Sequence, residues 1–305
     1  MASSNPISNT WTLTKVRVRL AMRNRTFLFF SLAMPLGFLF FFVMVFSKGS
    51  PAWIAYILGS ILTLTVMGSF WGLSVQLVTF REAGILRRFR LAPVGAGPML
   101  ASSILANYIL VVPSVTIEIL VCKWVLHMQS WGNLWAIFLL VTVGSAAFSA
   151  FGLIVASVTN TMQETQVINQ LIWTLFLFLS GASVPLAVFP LWIQRASLFM
   201  PATYLATGLE FATTNLASPA EILTDFLALT LGVLVAFEIS RQLFRWEPEA
   251  KVPGRAKLWV LVAMIPFIAF GVYENVSGKR LAQIHDNFKA IDRGPSPPAK
   301  STDTP

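Results

Sequence analysis

Six apolar stretches, each roughly 20 residues long and set apart by short polar or charged connections, constrain this chain more than any motif does. They run approximately over Thr26–Phe46, Ala52–Val78, Met99–Val125, Leu134–Val158, Thr165–Val188 and Ile222–Ser240. At about 1.5 Å rise per residue, a helix of that length crosses about 30 Å of hydrocarbon. Lipid offers no partner for bare backbone groups, so such stretches are expected as helices. Composition agrees. The 305 residues are 56% hydrophobic and 11% charged, with 25 Phe and 10 Trp, and a mean hydropathy of +0.71. The expected class is an all-α integral membrane protein. The net charge of +9 is therefore no sign of a nucleic-acid partner. The basic residues flank the spans, where they set topology and meet anionic lipid headgroups.

Their distribution gives an orientation. Lys15, Arg17, Arg19, Arg23 and Arg25 precede the first span. Arg81, Arg87, Arg88 and Arg90 lie between the second and third, and Arg241, Arg245, Lys251, Arg255 and Lys257 follow the sixth. The alternate connections hold only Lys48, Lys123 and Arg195. Fourteen against three places the N-terminus on the cytoplasmic side. Residues 1–25 form a cytoplasmic N-terminus. Within it Trp11–Arg25 reads either as an interfacial helix with snorkelling basic stems or as a basic juxtamembrane segment without fixed structure. The first apolar run is too long for a cleaved signal and is expected as a signal anchor. Residues 26–240 form the six-span domain and 241–257 a cytoplasmic linker. A further run, 258–273, is short for a span and has Pro266 in its middle, but Trp259 and Tyr273 could anchor its two ends, and it is expected as a seventh span. The Pro/Ser-rich tail 274–305 is expected to be disordered.

Several chemistries find no support. The single cysteine, Cys122, allows no disulfide framework, and His127 and His285 are isolated, so no metal site or catalytic cluster is expected. No G-x-x-x-x-G-K-[ST] occurs, so ATP hydrolysis is not expected on this chain.

The segment Thr79–Val94, TFREAGILRRFRLAPV, concentrates five charges between two spans. Gly84 favours a bend after the second span. Beyond it, Ile85, Leu86 and Phe89 fall on one arc of a helix, while Arg87, Arg88 and Arg90 spread over the rest. Pro93 stops that helix, and Gly95, Gly97 and Pro98 turn the chain into the third span. A short amphipathic helix beyond the inner membrane surface suits a groove on a cytoplasmic partner. On charge alone, the arginines serve equally as topology determinants that touch headgroups. Glu82 and the helix itself are not needed for topology.

This segment resembles the loop between the second and third spans of ABC-2 type transporter permeases, with Ala92 where that family usually carries Thr. A second match follows in the right place. Gln163-Glu164 and then LFLFLSGASVPLAVFPLWIQRASLFMPATYLATGLE resemble the family's fifth span and the loop after it. The likeness covers roughly Trp11 to Arg245 and is nearest to the bacterial drug-exporter branch. It implies a six-helix ABC-2 transmembrane domain in the bacterial inner membrane, a dimer with a second copy or a paralogue, and a separate soluble ATPase carrying ATP and Mg. By that likeness Arg81, Glu82, Gly84, Ile85, Leu86, Arg87, Arg88, Phe89, Arg90 and Pro93 form the coupling helix. Its apolar knobs would sit in the ATPase, and its charges would transmit the stroke. Two short re-entrant helices, broken at Pro190 and Pro201, would cap the exit, with Arg195 facing an outer vestibule; a surface amphipathic loop is the other possibility.

Glu118 lies inside the third span, where an ionisable residue marks either a substrate or gating contact or a bundle-facing carboxylate. Gln163, Glu164 and Asn169, with Gln166 and Gln170, make the inner end of the fifth span polar, suited to subunit contact or to substrate contact. Gly68 and Gly72 form a G-x-x-x-G that permits close helix packing. The expected function is the permease subunit of an ATP-driven exporter of an amphiphilic substrate: a drug-like compound, a lipid or a lipid-linked glycan. A secondary transporter or channel is the alternative. It would call for intramembrane charge relays or inverted repeats, and the sequence shows neither.

Overall fold

A computed structural model describes residues 6–47, 49–90, 95–216, 218–246 and 258–293; the side chains of Phe27, Arg88, Phe89 and Arg90 fall outside the description. Every regular element among the described residues is helical. The elements are α1 (Pro6–Arg23), α2 (Arg25–Phe46), α3 (Pro51–Glu82), α4 (Ile85–Arg90), α5 (Ala96–Trp124), α6 (Leu134–Val158) and α7 (Met162–Leu179). After a short 3-10 turn (Leu186–Val188) come α8 (Leu191–Ser197), α9 (Pro201–Thr214), α10 (Pro219–Leu243), α11 (Trp259–Ala263), α12 (Ile265–Ser277) and α13 (Lys279–Arg293).

Local chemistry sets these limits. Pro51, Pro201 and Pro219 open α3, α9 and α10, where the missing N–H costs nothing. The Asn133 side chain accepts from Ala136 N to cap α6, and Thr161 Oγ1 accepts from Glu164 N to cap α7. Gly84 ends α3 at φ +68, and Gly278 ends α12 at φ +65, in the left-handed region that favours glycine.

Among the described residues, five helices (α2, α3, α5, α6 and α10) are long and apolar enough to cross a membrane. α3 and α6 form the centre and are mostly buried, whereas α2 stands at the rim. The two central helices approach closely at Gly152, where a Cβ would run into the Phe70 carbonyl oxygen. Gly152→Ala is therefore expected to cost about 1–3 kcal/mol by forcing the helices apart. Gly68→Ala, with nothing within 4 Å of its Cβ, should unfold at or slightly above the wild-type midpoint. Thermal unfolding of the two purified variants checks this, and equal midpoints would refute the tight crossing. α9, almost wholly buried, runs antiparallel to α3: Glu210 reaches Gly59 and Ser60, and Leu205 lies by Val66 through Gly144.

Three expectations are corrected. The fifth apolar run does not stay helical to Val188. α7 ends at Leu179, because Ser180 caps it and Gly181 turns at φ +97. α7 is also too polar in its first half to count among the five crossing helices. The run 258–273 is not one helix: Pro266 opens α12, and the helix breaks at Met264. The chain from Glu274 to Arg293 is not disordered. It completes α12 and folds as the amphipathic α13. Phe267 packs on Gly232, Gly271 on Phe199, Arg280 on Asp225, and Phe288 on Trp53. The chain thus climbs from the middle of α10 to the end of the bundle that holds the α2–α3 and α5–α6 turns, opposite α4. Of the expected linker 241–257, the first three residues complete α10, and 247–257, like the tail beyond Arg293, lie outside the described residues.

Candidate functional site

Three regions bring charged or polar side chains together: one at the α4 end, one inside the bundle and one at the end opposite α4.

At the α4 end, the α6–α7 turn is clamped from several sides. Arg81 is buried, and its guanidinium donates at 2.8 Å to the carbonyls of Ala156 and of Thr159. Ala156 belongs to the last turn of α6 and Thr159 is its C-cap, where carbonyls have no helical partner. Next to it on α3, Glu82 accepts at 2.8 Å from Met162 N at the start of α7, a favourable place for an anion. Arg245, just past α10, donates to Ser157 O, Thr159 O and Asn160 Oδ1. Burial pushes the Arg245 guanidinium below its ordinary pKa, while Glu164 opposes that shift. Glu164 itself accepts from Asn160 N. α3, α6, α7 and the segment after α10 therefore meet on residues 157–164.

α4 hangs from this clamp through Ala83 and Gly84. Leu86 is fully buried in a cluster with Leu77, Val78, Met99, Leu100 and Leu153. The expectation that Leu86 is an outward knob is thus corrected: it anchors α4 to its own bundle. Ile85 is half-buried and Arg87 exposed. Pro93 and the side chains of Arg88, Phe89 and Arg90 lie outside the described residues. Of the charges expected to transmit the stroke, Arg81 is buried in the clamp, and Glu82, although exposed, is tied to it through Met162 N. On the neighbouring face, α1 packs along α5, and Arg17 donates to Gln76 at 3.2 Å. Burial pushes the Arg17 guanidinium down to about 10.

Inside the bundle, a cavity of about 570 Å³ opens between α2, α3, α5 and α7. Phe38, Phe42, Trp173 and Phe178 wall it, and Gly68 and Gly72 form part of its floor. Those two glycines do not join helices: a Cβ at either would meet nothing within 4 Å. Glu118 is buried, and its Oε1 accepts from Thr65 Oγ1, a cavity residue, at 2.8 Å. Asn169 is buried and donates at 2.6 Å to Ser74 Oγ, tying α7 to α3. Gln163, Gln166 and Gln170 are exposed along one face of α7 with Val167 and Leu171. The expected pair of short helices after the fifth run is present as α8 and α9. Pro190 caps α8, Pro201 opens α9, and Arg195 is exposed beside Asn275, which donates to its carbonyl.

A third cluster was not foreseen. Glu210, Asp225, Glu274 and Arg280 are all buried at the end opposite α4. The rule that singled out Glu118, an ionisable side chain in an apolar run, applies equally to Glu210 and Asp225.

A helical bundle of crossing helices with a short charged helix at one end and broken helices at the other is the arrangement of a transporter permease. Residues 8–212 match the ABC-2 type transporter family, and the chain belongs to it. That match ends within α9, so α10 to α13 lie beyond it. The chain is 26% identical over 197 residues to "Putative transport permease YvfS" of Bacillus subtilis (strain 168), covering 61% of this chain and 78% of that protein. It is 25% identical over 174 residues to "Linearmycin resistance permease protein LnrN" of the same organism, covering 57% of this chain and 44% of that protein.

Proposed function

We propose that this permease is the membrane subunit of an ATP-driven exporter in a bacterial inner membrane, with its N-terminus cytoplasmic and the α8–α9 end outside. A soluble P-loop ATPase, carrying ATP and Mg, docks against α4. A second copy or a paralogue covers the amide-bearing face of α7, because Gln163, Gln166 and Gln170 are poor neighbours for lipid. α2, α3, α5, α6, α7 and α10 are the six spans, and α11–α12 brings the chain back across the membrane. The cargo is amphiphilic: a drug-like compound, a lipid or a lipid-linked glycan.

The clamp on residues 157–164 carries this reading. A push on α4 reaches Arg81 and Glu82 within one turn, and through them the ends of α6 and α7. Packed elements of this kind move as units, so a small displacement at α4 becomes a tilt of the helix beside the cavity. Energy applied at α4 would then act on α7 without ATP touching this chain.

The exposed Arg87 and its neighbour Arg88 are the residues to alter. An Arg87→Ala/Arg88→Ala variant should express and fold normally but bind its ATPase at least about tenfold more weakly. Co-purification with the ATPase and stimulation of its turnover measure this. Full export and stimulation in the double variant would exclude docking at α4.

A further inference from the structure

No described residue that lines the cavity carries a formal charge; Glu118 stands next to the lining through Thr65, and no ion pair is formed by it among the described residues. Its Oε1 is held by Thr65, while Oε2 is buried without a hydrogen-bond partner. Ser69 Oγ, in the cavity wall, is likewise buried and unpartnered. Along α5, Asn107, Leu110, Val111 and Ser114 line the cavity at helical spacing. Glu118 follows Ser114 by four residues and so continues the same face. The nearest basic residue on α5, Lys123, is occupied by the carbonyls of Met128 and Gln129 and by the Trp131 ring. An ionised carboxylate held among apolar side chains without a cation is costly, and one of its oxygens is left for something else.

We infer that this cavity is a binding site for a lipophilic monocation, an amphiphile whose ammonium or phosphonium centre lies by Thr65 and Ser69 against Glu118 while its apolar body fills the space between α2 and α7. The volume suits a drug-sized molecule. The aromatic wall offers ring faces that attract a cation and plain apolar area for the rest. Gly68 and Gly72 keep the α3 wall open, which explains small residues where no helix approaches. Calling the occupant cargo rests on the transport reading above. Occupancy itself belongs to this chain alone and needs no ATPase.

The full chain in phosphatidylcholine nanodiscs, with empty nanodiscs as baseline, is titrated calorimetrically with tetraphenylphosphonium and with its neutral relative triphenylphosphine oxide. The wild type should bind the cation. Glu118→Gln keeps the shape and the Thr65 hydrogen bond; it should weaken cation binding at least about tenfold and leave the neutral compound within about twofold. Gly68→Leu, which fills the floor, should abolish binding of both. Unchanged cation binding in Glu118→Gln overturns the site, and so does wild-type binding no greater than that of empty nanodiscs. Parallel loss of both compounds in a Glu118→Gln variant that melts like the wild type would assign Glu118 to packing and also overturn it. If the ATPase associates at α4 but Glu118→Gln changes nothing, only the cation site falls. If the cation binds through Glu118 and no ATPase associates, the site stands and the exporter falls.

Discussion

Arg81→Ala is expected to lower stability by about 3 kcal/mol or more, the largest effect of any single change at the α4 end. Two charge-assisted hydrogen bonds are lost, each worth about 1.5–3 kcal/mol. The Ala156 carbonyl then remains buried at the end of α6 beside a void, and Thr159 O keeps only its bond from Arg245. Arg81→Lys should fall between the variant and the wild type: an ammonium is a point charge and does not span two carbonyls as a planar fork does. Arg87→Ala, at an exposed position on the same stretch, should stay within about 0.5 kcal/mol of wild type. Thermal or denaturant unfolding of the three purified variants orders them. An Arg81→Ala midpoint equal to that of Arg87→Ala would mean the clamp holds nothing. The contrast also divides labour among the arginines. Arg81 is fixed by its own chain, whereas Arg87 is exposed.

That division was not legible in the sequence, whereas much else was. Hydrophobic length located α2, α3, α5, α6 and α10 within a few residues, because lipid-crossing helices need little more than a long apolar run. Leu134–Val158 agrees at both ends, since Asn133 supplies the cap and Thr159 leaves the helix. The bend at Gly84 and the helix after it were readable from a glycine and an alternation of Arg with Leu and Phe. The direction each side chain faces was not. Arg81 and Arg87 look alike in a string of letters. Only the return of α6, some 75 residues later, turns the first into a buried ligand of carbonyls. Leu86 was misread for a related reason: an amphipathic helix has an apolar face, but the pattern does not say whether its own bundle or a partner covers it. The fifth apolar run shows another limit. Ser180 and Gly181 end α7 while the run stays apolar past them, so hydropathy alone carries the helix too far. The fold of Glu274–Arg293 is hidden in the sequence because a Pro/Ser-rich end follows the amphipathic stretch, and because the partner of Arg280 stands 55 residues upstream.

Arg280→Ala is expected to cost about 3–5 kcal/mol, because it leaves Asp225 buried with no cation. The pair is deeply buried, with side chains 2% and 0% exposed. Arg280 also donates to Thr207 and lies 5.2 Å from the centre of the Phe211 ring. Around it Gly208 brings α9 so close to Asp225 that a Cβ there would stand 2.7 Å from Oδ2. A buried pair is weak proof of net stability, since desolvation offsets much of the attraction. Its absolute contribution is therefore not the quantity to measure. The coupling is. Asp225→Leu/Arg280→Met, which removes both charges, should recover most of the loss and approach or exceed the wild type. The same three proteins report on α13. Trypsin should cut slowly at exposed Lys289 in the wild type and in the charge-free double variant. It should cut quickly in Arg280→Ala, because a stranded carboxylate draws water beneath α13 and opens it. If Arg280→Ala and the double variant are equally stable and equally protected, α13 is held by Phe288 on Trp53 and by its buried Ile284 and Ile291, and the ion pair is incidental. If the single variant alone opens, the latch lies in a segment beyond residues 8–212, the part shared with the family, and the closure of this end of the bundle is a property of this chain's own C-terminal helix.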